Sequence, residues 1–385
     1  MDYTRLLQHT HSLLKKKKGQ SRRQIIRFTN PSEFQRFQHT LQRMQPSYQT
    51  LEQIHPLGLI HSFLFPLHPS IPIDQLPVKI KAESDRKAMV HDLPRSDKNR
   101  PSKRNIPWGI QHIKAPAAWK TAKGEGVKIA VIDTGINYYH PDLKQAVQKG
   151  FNVLHRYQLP VDDNGHGTHI AGTIAASSAS DGMTGVAPHA HIYPVKAFDY
   201  HGSAYISDII MGLEWCISQK MDIINMSFGM KEHSESLQYA IRKAADAGCI
   251  IVASSGNDGN KNDIDYPAKF PETISVSATN KDRRIAKFSN RSKAVNIYAP
   301  GDKIQSTWLR EGYFQLSGTS MATAHVSGVI ALLLSIKPSL TMRQVRVRLK
   351  RTSLPLNMKT KKPLSGEIQA LRAVRYGRKR KQKRK

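Results

Sequence analysis

From residue 127 onward the chain alternates short runs of β-branched and aliphatic residues with longer segments whose apolar side chains recur every three or four positions. Residues 127–132, 191–197, 222–228, 249–254 and 273–278 are of the first kind. Ile206, Ile209, Ile210, Leu213 and Ile217 mark one face of the second kind, which recurs over 234–247, after Ser320 and over 341–351. Strands apolar at nearly every position are buried on both faces, and parallel neighbours must be joined by crossovers, usually helices. The pattern therefore predicts an α/β domain with a mostly parallel central sheet. No run approaches the roughly 18 apolar residues of a membrane-crossing helix, so no transmembrane segment is expected and the domain should be soluble.

A second, smaller unit precedes it. Residues 24–29 read as a strand, Asn30-Pro31-Ser32-Glu33 starts a helix with Phe34, Phe37 and Leu41 on one face, and 57–65 and 78–83 are further strand candidates. This predicts a compact α+β domain over 24–91, after a basic leader at 1–23. Residues 92–104, rich in Asp, Pro, Arg, Lys and Ser, have little to bury and read as a linker. The α/β domain then spans 105–375, and 376–385 is expected to be a solvated basic tail. The N-terminus carries charge but not the roughly 7–15-residue apolar stretch of an export signal.

The net charge of +30 invites a nucleic-acid reading, and its distribution argues against one. Residues 1–104 hold +11 of the excess and 376–385 another +7, so more than half lies at the ends. The tail offers a single aromatic, Tyr376, for base stacking. No specific nucleic-acid partner is expected, though salt-sensitive adhesion to polyanions follows from the charge. Cys216 and Cys249 sit in apolar surroundings and are expected to be small core residues rather than a disulfide.

Three polar motifs interrupt the apolar pattern. Asp133-Thr134-Gly135 ends the first strand, at the carboxyl edge where α/β proteins place their sites. Alone, such an aspartate is as readily a turn or helix cap. Asp162 to Thr173 sets His166 and His169 among glycines at a helix start. A zinc reading fails because the pair lacks the glutamate of His-Glu-x-x-His and a third ligand, and His169 reads as a packed histidine. Gly318-Thr319-Ser320-Met321-Ala322 puts a hydroxyl at the start of a helix, where an N-cap is the commoner role.

Together, the order Asp133, His166, Ser320 resembles the subtilisin-like serine peptidases, the subtilases. The likeness covers about residues 105–374 and implies a three-layer subtilisin-like domain preceded by a small α+β, ferredoxin-like pro-domain. It implies a serine endopeptidase: His166 takes the proton of Ser320 during attack on a peptide carbonyl, Asp133 orients His166, and Asn257 in Ser254-Ser255-Gly256-Asn257 donates to the oxyanion beside the Ser320 backbone N–H. Substrate is expected as an extended strand between Gly202-Ser203-Ala204 and Ser227-Phe228-Gly229. Asp258 at the rim and Asp265 at the base of the pocket before the cleaved bond imply a preference for Lys or Arg, unless Asp265 is solvated or pairs with Lys269. Asp142 matches a calcium-ligating position, although Ala179 stands where the family often has Asn. Ala324 stands where the family commonly has Pro, a change the first helical turn tolerates.

No cofactor is expected for catalysis, and structural calcium is left open. The partners implied are protein or peptide substrates and the chain's own pro-domain, an intramolecular inhibitor removed by self-cleavage, with Lys103-Arg104 a fitting site; a monomer is expected. The pro-domain favours a secreted protein, the missing export signal a cytoplasmic one. The rival readings are an inactive scaffold on the same fold and a polyanion-binding protein.

Overall fold

The computed structural model describes residues 2–16, 22–67, 78–91, 106–178, 182–357 and 365–377. The linker with Lys103-Arg104, and the tail from residue 378, lie outside the described residues.

Seven strands form the central sheet: β1 (Lys128–Asp133), β2 (Phe151–Asn152), β3 (His191–Lys196), β4 (Ile223–Met226), β5 (Ile250–Ser254), β6 (Ile274–Thr279) and β7 (Ile297–Pro300). Their order is β7-β6-β5-β4-β1-β3-β2, and every pairing is parallel. Successive side chains point to opposite faces. Thus Ile129 and Val131 join a core with the helices His166–Ala175 and Thr319–Ile336, while Ala130 and Ile132 join another with Ile206–Ser218 and Glu235–Asp246. That is the three-layer α/β arrangement expected from the sequence.

The helix Thr319–Ile336 has the length and hydropathy of a membrane span, contrary to the reading that no run comes near one. Its small and hydroxyl-bearing first turns break the apolar run in sequence, yet 89% of it is buried within the protein, where it is the central helix of one layer. Cys216 and Cys249 are free and buried, and burial raises both thiols, Cys249 to about 11.

The small domain is a four-stranded antiparallel sheet in the spatial order His55–Leu57, Ser62–Leu67, Arg22–Phe28, Ile80–Ser84. Its helix Pro31–Met44 is capped by Asn30 and buries Phe34, Phe37 and Leu41. The expected boundary at residue 24 is not where this domain begins. Residues read as a leader form the helix Tyr3–Lys16, whose Leu6 and Leu7 complete the core with Phe28 and Phe63, and whose Tyr3 hydroxyl donates to Glu33. The lysine run that follows hides this amphipathic segment from a reading by charge.

The sheet rides on the two helices of the outer layer. Ile25 faces the large domain while Ile26 faces its own core. Asp85 accepts from Ser207 N at 2.9 Å, in the first turn of Ile206–Ser218, and Glu83 accepts from Ser236 N at 2.9 Å, in the first turn of Glu235–Asp246. Each carboxylate meets unpaired N–H groups and the positive end of a helix dipole. Arg23 spans the junction, 2.9 Å from Asp85 and 3.6 Å from Asp208, with its guanidinium over Tyr205.

Candidate active site

Asp133 closes β1 and is fully buried. Its Oδ1 accepts from Thr134 N and lies 2.7 Å from Nδ1 of His166, the first residue of the helix His166–Ala175. A carboxylate only accepts, so Nδ1 carries a proton and the ring is oriented by Asp133. Close packing makes the pair reachable: a Cβ on Gly167 would stand 2.1 Å from the Gly135 carbonyl oxygen. Asp162, unassigned in the sequence, holds the approach loop by accepting from Asn164 N, Gly165 N, Thr168 N and the Thr134 hydroxyl. The spacing Asp162-x-Asn164-Gly165 is the turn signal that could have found it.

Ser320 is the second residue of Thr319–Ile336, and this helix packs against the one that begins with His166. Beside it, the Asn257 side-chain oxygen accepts from Thr319 N and the Thr319 hydroxyl, both at 2.9 Å, which aims its amide nitrogen forward. Ser320 Oγ and Asn257 Nδ2 meet at one atom. The carbonyl oxygen of His91 accepts from Ser320 Oγ at 2.9 Å and from Asn257 Nδ2 at 3.1 Å. Ser320 Oγ is also 2.9 Å from the Ser227 carbonyl oxygen.

His91 ends a segment of the chain that lies in the cleft as a strand. Lys87–Val90 pairs antiparallel with Ser203–Tyr205 on one side and Phe228–Gly229 on the other. The Val90 N–H donates to Gly202 O and the His91 N–H to Ser227 O. All six residues expected to flank an extended substrate, Gly202, Ser203, Ala204, Ser227, Phe228 and Gly229, thus flank this segment.

The His91 ring enters the pocket where Asp258 and Asp265 were expected. Asp265 is at its base, buried, and Asp258 at its half-exposed rim. Asp265 does not pair with Lys269, which bonds to Asp263 instead. Its Oδ2 faces the His91 ring, and its Oδ1 pairs with Lys231, which also bonds to Asp258. That hydrogen bond is the main reason the Asp258 carboxyl sits below the usual range; burial opposes the Lys231 charge, but its two carboxylate bonds outweigh burial and raise it. Lys231 and His91 went unassigned in the sequence, since nothing local marks them, and Ser254 entered only as part of the segment that carries Asn257.

His169 is fully buried with Nε2 3.0 Å from Ile304 O, and burial lowers it to about 3, so it stays neutral as a packed residue. Asp142 is also buried, and its Oδ2 accepts from Met183 N and the Tyr313 hydroxyl, each at 2.8 Å. Among the described residues no group of three His, Cys, Asp or Glu could hold a metal. One carboxylate oxygen of Asp142 is thus held by protein donors, and the loop with Ala179, at residues 179–181, lies outside the described residues.

The α/β domain is similar in sequence to known proteins. The profile of the subtilase family matches residues 124–377. Subtilisin E of Bacillus subtilis is 45% identical over 254 residues, covering 65% of this chain and 66% of that protein. The thermostable alkaline protease of Halalkalibacterium halodurans is 38% identical over 312 residues, 80% of this chain and 83% of that protein. Minor extracellular protease Epr of Bacillus subtilis is 41% identical over 250 residues, 65% of this chain but 38% of that protein. The match thus spans just under two thirds of subtilisin E and a smaller part of the minor extracellular protease.

Proposed function

The chain belongs to the subtilase family, and on that premise we propose that it is a serine endopeptidase made as a self-processing zymogen. The observation that carries the reading is the His91 carbonyl oxygen held at once by Ser320 Oγ and Asn257 Nδ2. A nucleophile and an oxyanion donor converging on one acyl group is the arrangement acyl transfer needs.

Ser320 adds to the carbonyl carbon as His166 takes its proton. Asp133, bonded to Nδ1, keeps the imidazole in the acting tautomer and stabilises its cation. Asn257 Nδ2, with the Ser320 backbone N–H, receives the charge on the carbonyl oxygen. The proton returns to the leaving amine, and water then hydrolyses the acyl ester. No cofactor enters these steps. Asp258 and Asp265 support a preference for basic side chains, Lys and Arg, over apolar ones before the cleaved bond.

The small domain is the pro-domain and acts as an intramolecular inhibitor, a role supported by its C-terminal strand in the substrate cleft. The site is complete within one chain, which supports a monomer. Secretion is the favoured location, in line with the word extracellular in the name of one relative. The test is labelling with a fluorophosphonate, together with cleavage of an unstructured protein. Wild type should label and cleave, and Ser320→Ala should do neither. A wild-type protein freed of its pro-domain that neither labels nor cleaves would instead be the inactive scaffold.

A further inference from the structure

The segment in the cleft ends in a side chain that is answered on both of its polar atoms. The His91 ring is 9% exposed, with Nε2 2.9 Å from Asp265 Oδ2 and Nδ1 2.7 Å from Ser254 Oγ. Nε2 donates to the carboxylate, and in the neutral ring Nδ1 accepts from the Ser254 hydroxyl. The slot requires glycine at its wall: a Cβ on Gly229 would stand 2.3 Å from His91 Cε1 and Nε2. The other oxygen of Asp265, Oδ1, is held by Lys231 Nζ at 2.8 Å, and the same ammonium bonds to Asp258. Two carboxylates therefore already share one cation. What remains at the depth of an imidazole is a single accepting oxygen beside a hydroxyl.

We propose that this pocket selects histidine before the cleaved bond, and that His91–Asp92 is the first bond the chain cuts in itself, ahead of any bond after Lys103 or Arg104. The inference rests on Ser320 as the nucleophile. Lys and Arg carry their charge farther from the backbone than an imidazole does and run into the Lys231 ammonium, so they rank behind histidine while staying ahead of Phe and Leu. In the step itself, Ser320 Oγ bonds to the His91 carbonyl carbon and its proton passes to His166. The bond from that carbon to the Asp92 nitrogen breaks as the nitrogen takes the proton. Water then splits the His91 ester, which releases residues 1–91 with a free carboxylate and restores the serine. Both ring contacts survive the cut, so the fragment stays as an inhibitor anchored by its last residue.

The full-length chain is the test. Intact mass during processing should show a first fragment ending at His91 and a new chain starting at Asp92. On peptides that differ only before the cut, the mature enzyme should favour His over Arg and Lys by on the order of tenfold in kcat/KM, the equivalent of one contact. Lys231→Gln should bring Arg and Lys level with His. A first product ending at Lys103 or Arg104, or Arg ahead of His in wild type, overturns the proposal, and an unchanged ranking in Lys231→Gln removes Lys231 from it. Normal processing of Ser320→Ala would instead sink the reading of Ser320. A wild type that labels with fluorophosphonate and cuts peptides but leaves His91–Asp92 intact refutes this inference alone.

Discussion

The side-chain oxygen of Asn257 is bonded twice to Thr319, once through the backbone N–H and once through the hydroxyl, both at 2.9 Å. The residue before the nucleophile thereby fixes the direction in which the Asn257 amide donates. Asn257→Leu should lower kcat by about 10²–10³ with little change in KM, because the lost bond strengthens only as charge builds on the oxygen. Thr319→Val keeps the backbone bond and should cost less, roughly tenfold. Steady-state kinetics on one peptide substrate compare the two.

Asp133→Asn should leave the fold intact and cut kcat by about 10⁴, since an amide donor facing Nδ1 favours the wrong tautomer. Thermal unfolding run beside the kinetics separates this from loss of structure.

The Asp85 and Glu83 contacts at the two helix starts predict the strength of inhibition. A fragment of residues 1–91 carrying Asp85→Ala should inhibit the mature enzyme at least several-fold less tightly, as the Ser207 N–H and hydroxyl lose their acceptor, a change of about 1–2 kcal/mol. Titration of activity with wild-type and variant fragments measures it.

Burial, with the Arg23 charge opposing it, raises Asp208 to about 6 from an ordinary value near 3.8. A carboxyl raised on folding favours the folded state fully below its unfolded value, and that contribution is lost as pH climbs through the folded one. The stability of the full-length Ser320→Ala chain should therefore carry a component falling between about pH 4 and pH 6, of about 3 kcal/mol at most. Asp208→Asn should flatten that window in denaturant melts taken across pH.

If Asp142 is held by protein donors alone, a chelator leaves the melting temperature unchanged. Tyr313→Phe, which removes one of the two donors to the Asp142 carboxylate among the described residues, should cost about 1–3 kcal/mol that added calcium does not restore.

The layered α/β fold was legible because its strands are apolar on both faces and its helices periodic, a local property of each segment. Asp133, His166 and Ser320 stood out for a related reason: each sits in a polar, glycine-marked break next to an apolar element. Tyr3–Lys16 was missed because the lysines behind it outweighed its apolar face in a reading by charge. His91 had no local mark at all. Its meaning arises from partners 174 and 229 positions away, Asp265 and Ser320, which only the paired register of Lys87–Val90 brings to it. Lys231 is hidden in the same way, as one of many lysines in a basic chain.

The helix behind Ser320 also governs how the protein fails. Its span from Thr319 to Ile336 is apolar enough to pass for a bilayer segment, and the native fold conceals nearly all of it. Once the domain opens, that stretch becomes adhesive surface on which exposed chains should associate. Heat inactivation should then be a one-way loss whose half-life depends on how rarely the domain opens, and on protein concentration, rather than on an equilibrium midpoint.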